Sequence, residues 1–311
     1  MREIVILGHI GPFTVTAYAL CLMLGAALAV ALTVLLGRKK PGADRSLNMC
    51  ISAVLGAFLG GRLMYSLTMI EFILVDLGGP EFLLKPWEGG YNMFGAILGG
   101  LLGVVIYGRA AKICPLELMD LAAPGAALAI AFGRLGECFT SQGLGHYVEN
   151  EALQMFPFAV PSVYEDWQLP VFFYEAVAAL VVLIVCLKVL RGGRAGRTAE
   201  VFLALISLCQ IMLESMRADE FIRFGFVKFN MLAGARLRGG VMGVSLFRCV
   251  KKQGWRGWNV IRTVLFAVGI VVVILIEFAL DKSPIDNRLL YAVMAAVLAV
   301  MGVSILKEKK A

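Results

Sequence analysis

Apolar residues run through this chain in long blocks, broken by short polar segments. A helix that crosses the hydrocarbon of a bilayer needs about 20 such residues. Blocks of that length predict helices near Pro12–Leu36, Leu47–Ile70, Asn92–Tyr107, Leu116–Leu135, Pro170–Leu190, Thr198–Met216, Arg262–Leu280 and Arg288–Leu306. Within the second and third, Gly56/Gly60 and Gly95/Gly99 repeat at a spacing of four, which predicts close approach of helix backbones. The segment from Phe139 to Leu169 is too polar to span and too long for a simple turn. It predicts a small outer subdomain, residues 137–169, with short elements of its own.

Composition agrees with this pattern. The 311 residues are 60% hydrophobic and 16% charged, whereas soluble domains run near a quarter charged. Mean hydropathy is +0.83. The net charge of +7 therefore belongs to loops and is not the footprint of nucleic-acid binding. Loops carrying excess Lys and Arg stay on the cytoplasmic side. Arg38, Lys39, Lys40 and Arg45 mark one such loop, Arg109 and Lys112 a second, and Lys188, Arg191, Arg194 and Arg197 a third. Residues 71–88 are mostly acidic. Residues 137–166 carry Glu137, Glu149, Glu151, Glu165 and Asp166 with no Lys or Arg, so both segments fall outside.

The alternation breaks after Met216 unless one more helix crosses near Lys228–Val250, which returns Arg248, Lys251, Lys252 and Arg256 to the inside. A segment lying on the membrane surface is the alternative. The expected fold is an all-α polytopic membrane helical bundle of about seven core helices plus two C-terminal ones. Residues 1–250 form the main domain. Residues 251–311 hold a basic loop and the two extra helices. The N-terminus falls outside and the C-terminus inside. The start, Met-Arg-Glu-Ile, lacks a basic signal-peptide region, so the first apolar run is expected to stay as a helix. Seven scattered cysteines without a CxxC, and only two histidines, predict apolar filler in place of a metal centre.

The polar residues inside these apolar helices are the informative ones. At about 1.5 Å of rise per residue, Arg62 lies roughly 22 Å from the inner edge of its helix. Similar counts bring Tyr18, Asn92, Arg134, Glu175, Glu214 and Arg217 to the outer headgroup level, from several different helices. Ionisable groups at that depth are costly in lipid and call for partners or a function. Gln210, Glu214 and Arg217, spaced four and three apart, share one helix face. Arginine suits bidentate recognition of a phosphate. Together these residues point to a polar cavity for a lipid headgroup. Each of them snorkelling or capping its own helix end is the bland alternative. Asp120, near the cytoplasmic end of its helix, is read as a local structural residue.

In order along the chain, Gly11-Pro12-Phe13…Ala17-Tyr18-Ala19, Gly60-Gly61-Arg62, Gly89-Gly90-Tyr91-Asn92-Met93-Phe94-Gly95, Asp120…Pro124…Gly133-Arg134-Leu135-Gly136, Pro170…Tyr174-Glu175-Ala176 and Glu214-Ser215-Met216-Arg217…Gly225-Phe226 resemble the motifs of the prolipoprotein diacylglyceryl transferases. The resemblance covers roughly residues 11–250. It implies transfer of the diacylglyceryl group of phosphatidylglycerol to the lipobox cysteine thiol of prolipoprotein signal peptides, with release of glycerol phosphate, in the bacterial cytoplasmic membrane. It implies no cofactor and no metal.

Carried over residue by residue, it places catalysis on Arg134, Glu137, Glu214 and Arg217, and substrate binding on Tyr18, Arg62, Asn92, Gln142, Gly145, Glu175 and Gln210. Four positions depart from the family pattern: Phe94 stands at its histidine, Glu137 at its asparagine, Gln142 at its glutamate and Gln210 at its arginine. The base that takes the thiol proton is left among Glu137, Glu214 and His146. A related transferase with another lipid or acceptor, or a non-enzymatic protein that binds or transports anionic lipid, are the alternative functions.

Overall fold

The structure is a computed structural model that describes residues 5–11, 13–75, 81, 85, 89–162, 166–192, 194–218, 223–224, 227–228, 231, 233–237, 239–240, 243, 257–283 and 286–306. Among these residues it is an all-α polytopic membrane fold with only short strand pairs. The long helices are α1 (Ala17–Gly37), α2 (Ala43–Thr68), α4 (Met93–Ala110), α5 (Pro115–Gly136), α6 (Val171–Leu190), α7 (Arg197–Met216), α8 (Gly257–Lys282) and α9 (Asn287–Leu306); α3 (Ile70–Val75) is a six-residue helix. Each coincides with one of the eight expected spans. Among the described residues, seven helical stretches are long and apolar enough to cross a membrane, the first of which, Ala17–Thr68, holds both α1 and α2. Of the expected ninth span, residues 233–237 are helical. Most of the remainder, like the basic segment around Arg248 and the motif residues Gly225 and Phe226, lies outside the described residues.

The chain divides into two compact units. The first comprises Met1–Gln142, Ser162–Glu165 and Ala179–Ala199, and the second Gly143–Pro161, Asp166–Ala178 and Glu200–Ala311. In the first, strands β1 (Ile6–Ile10) and β2 (Phe13–Thr16) form an antiparallel hairpin that turns at Gly11, where φ is +60°. Thr16 ends the hairpin and caps α1, its hydroxyl accepting from the Ala19 amide at 3.1 Å.

Helices α2 and α4 pack backbone to backbone, as the glycine spacing predicts. A Cβ on Gly60 would lie 2.5 Å from the Gly95 carbonyl oxygen, and one on Gly99 would collide with the Gly56 carbonyl. The Ser52 hydroxyl donates across the same seam to the Gly103 carbonyl at 2.9 Å. Beside this bond, Met49 and Cys50 of α2 join Val104 of α4 and Leu118 and Leu121 of α5 in an apolar core. The opposite faces leave Met23, Leu59, Leu63, Leu102 and Ile106 exposed, as residues that meet lipid must be.

Asp120 departs from its expected local role. Its carboxylate reaches across to accept from the Gly196 amide at 2.6 Å and the Ala199 amide at 2.8 Å. It thus supplies an anion to the N-terminus of α7, where orphan amides and the helix dipole favour one. Its partners lie at the start of a different helix from its own.

In the second unit, strands β3 (Val160–Pro161) and β4 (Trp167–Gln168) pair antiparallel, and Tyr147 bridges to Gln168. A 3-10 turn covers Glu151–Leu153 and is capped by the Asn150 side chain. Strands β5 (Arg223–Phe224) and β6 (Val227–Lys228) form a third small pair. Helices α8 and α9 bury Val273, Ile276, Met294 and Met301.

Candidate active site

The expected site residues fall into two sets, one in each unit. In the first unit the Gly-Arg-x-Gly run ends α5. Arg134 donates to Glu137 Oε1 at 2.5 Å, one turn onward, and the two side chains are only 13% and 7% exposed. The second guanidinium nitrogen of Arg134 lies 3.4 Å from the Met93 sulfur, which brings it to the head of α4. Glycine at 136 lets α1 come close. A Cβ there would sit 2.8 Å from Cys21 Cβ and 3.1 Å from the Tyr18 ring.

Asn92 caps α4, its side-chain oxygen accepting from the Gly95 amide at 3.1 Å, and its own amide donates to the Gly61 carbonyl at 3.0 Å. Arg62, 8% exposed, sits beside that contact. Its guanidinium donates to the carbonyls of Gly89, Gly90 and Lys85 and lies 5.7 Å from the centre of the Tyr91 ring. Gly89 and Gly90, at φ +80° and +78°, hold the turn that presents two of those carbonyls. Burial pushes the Tyr91 phenol above its ordinary range, with the Arg62 charge acting against that rise. Gln142 lies exposed in the loop after Phe139, its amide donating to the Thr140 hydroxyl.

The second set is more deeply buried. Glu175 on α6, Gln210 and Glu214 on α7, and Arg217 just beyond α7 are 3%, 4%, 1% and 3% exposed. Arg217 donates to one Glu175 oxygen at 2.9 Å. The Gln210 amide donates to the other Glu175 oxygen at 2.9 Å and to Glu214 Oε2 at 3.1 Å. One neutral amide thereby ties two carboxylates together, and the arginine supplies a counter-charge. This is the kind of partnering that lets charges persist away from water. Gly145 forms a β-bridge with Arg217. A Cβ at 145 would lie 2.6 Å from the Met216 carbonyl oxygen, so only glycine allows this approach.

The face shared by Gln210 and Glu214 was legible in the sequence. The partner roles of Met93 and of the backbone carbonyls at Lys85, Gly89 and Gly90 were not. Only the Gly89-Gly90 pair offered a signal, as a turn with positive φ. Phe94, at the position of the family histidine, is 3% exposed.

Buried arginine–carboxylate sets at the ends of membrane helices mark candidate functional sites of a membrane-embedded protein. The sequence comparisons narrow the class. The family model described as prolipoprotein diacylglyceryl transferase matches residues 5–250, and the chain belongs to that family. It is 28% identical over 241 residues to a phosphatidylglycerol–prolipoprotein diacylglyceryl transferase of Streptococcus pneumoniae serotype 4, covering 75% of this chain and 90% of that one. It is 30% identical over 224 residues to the protein of the same name from Streptococcus uberis, covering 70% of this chain and 85% of that one.

Proposed function

We propose that this protein transfers the diacylglyceryl group of phosphatidylglycerol to the lipobox cysteine thiol of prolipoproteins in the bacterial cytoplasmic membrane. The observation that carries the reading is the family match over residues 5–250, which contains both buried polar sets. In the reaction the cysteine thiol loses its proton, because the thiolate is the nucleophile. Sulfur attacks the glycerol carbon that bears the phosphate ester. The new carbon–sulfur bond forms as the carbon–oxygen bond breaks, and the oxygen leaves with the electron pair as glycerol phosphate.

The charge on that leaving group needs cationic stabilisation. Arg134 is proposed for it, with Glu137 fixing the direction of the guanidinium. Glu137 and Glu214 are the carboxylates proposed to take the thiol proton, and His146 is the third candidate. Arg217, Glu175 and Gln210 hold Glu214 in place through the bonds described above. Tyr18, Arg62, Asn92, Gln142 and Gly145 are proposed to shape the substrate-binding surfaces. The excess of Lys and Arg in alternate loops supports an orientation with the N-terminus outside and the C-terminus inside.

Purified protein incubated with phosphatidylglycerol and a lipobox peptide should add the mass of one diacylglyceryl group to the peptide cysteine. A serine-substituted peptide should gain nothing. Absence of any adduct on the cysteine peptide would sink the proposal. A second reading is favoured by Phe94 and Gln210, which replace a histidine and an arginine of the family pattern: the same transfer with a different anionic lipid as donor. Adduct formation with another anionic phospholipid but not with phosphatidylglycerol would select it.

A further inference from the structure

The family match ends at residue 250, yet helix α9 beyond it meets the end of α7. An α-helix leaves its last four carbonyls without intrahelical partners. For α7 these include Ser215, which lies between Glu214 and Arg217 in sequence. The Tyr291 hydroxyl of α9 donates to the Ser215 carbonyl at 3.3 Å. The chain leaving α7 is held elsewhere by the Gly145–Arg217 bridge and by the Ala218 amide, which donates to the Leu144 carbonyl at 2.9 Å.

Farther along α9, Gly302 allows close packing: a Cβ there would stand 3.6 Å from Leu205 and 3.8 Å from Leu208, both on α7. Met294 and Met301 between these contacts are buried at 0% and 2% exposure. Helix α9 is thus laid along α7 and hydrogen-bonded at its last turn, which carries Glu214 and leads into Arg217. Helix α8 packs on α9, where a Cβ on Gly269 would lie 2.5 Å from the Met301 sulfur, and its Glu277 is buried.

We infer that the α8–α9 hairpin is a built-in positioning element for the transferase site, and that Tyr291 is its positioning residue. By capping the Ser215 carbonyl, Tyr291 fixes the direction in which the chain leaves α7, and with it the placement of Glu214 and Arg217. The inference rests on the transferase reading above. Sub-ångström misplacement of reacting groups lowers turnover more than it lowers ground-state binding.

The test is Tyr291→Phe, which keeps the ring and its packing and removes only the hydroxyl. Glycerol phosphate release from phosphatidylglycerol and a lipobox peptide is followed in wild type and variant, together with the thermal midpoint in detergent. The expected result is a kcat lower by about threefold to tenfold with KM for phosphatidylglycerol unchanged and the midpoint retained. A variant that turns over at the wild-type rate overturns the inference alone. A variant whose kcat falls only in step with a lowered thermal midpoint also overturns it, because the hydroxyl is then merely structural. A wild-type protein that releases nothing overturns the transferase reading, and the inference with it.

Discussion

Arg217 donates to Glu175 across 2.9 Å, from just beyond α7 to the first turns of α6, with neither side chain more than 3% exposed. This ion pair and the amide of Gln210 replace hydration that the two charges give up on burial. Such an arrangement costs much when half of it is removed, because the other charge is left buried without its partner. Glu175→Gln and Arg217→Gln should each destabilise the protein by about 3–5 kcal/mol. The double variant should lose less than the sum of the two, and thermal melts in detergent across the four proteins give the coupling directly. Additive losses would show that the pair contributes nothing.

Gln210 joins two carboxylates through one amide. Gln210→Leu removes that amide from a buried site at nearly constant volume and should cost about 1–3 kcal/mol. Gln210→Glu sets a third carboxyl group beside Glu175 and Glu214 and should cost more than Gln210→Leu, as read by the same melts. The reverse order would contradict the geometry.

Asp120 caps the start of α7 from another helix. Asp120→Ala leaves the Gly196 and Ala199 amides without that acceptor and should lower stability by about 2–3 kcal/mol. Asp120→Asn retains an acceptor oxygen and should cost less. Equal losses for the two variants would mean that the cap itself is not what Asp120 supplies.

The α2–α4 seam should tolerate side chains at some glycines and not at others. Gly99→Val places atoms where the Gly56 carbonyl already lies, so the helices must part, at about 1–3 kcal/mol or more. Gly100→Ala meets its nearest atom, the Ala53 carbonyl oxygen, at 3.4 Å and should be nearly neutral. Comparing the two melts separates close packing from the general effect of replacing a helical glycine.

The membrane helices were legible because crossing a bilayer is a one-dimensional demand on consecutive apolar length, and all eight described long helices meet it. The Gly56/Gly60 and Gly95/Gly99 spacings were legible for a similar reason, since a period of four marks one helix face. Depth counting found Arg62, Arg134, Glu175, Glu214 and Arg217 but not their partners. Glu175 meets Gln210 and Arg217 from another helix, 35 and 42 residues away in sequence, and no spacing rule spans that distance. The guanidinium of Arg62 binds three backbone carbonyls, which no side-chain pattern reveals. The structural role read for Asp120 holds, but its partners are amides that lie near it only in the fold.

Arg134 is the residue on which the proposed chemistry turns, and glycerol phosphate release is its direct readout. Purified wild-type protein should release glycerol phosphate from phosphatidylglycerol only when a lipobox cysteine peptide is present. Arg134→Ala should lower that rate by about 10²–10³-fold while the protein stays folded by thermal melt. Release by a folded Arg134→Ala protein at the wild-type rate would contradict the account.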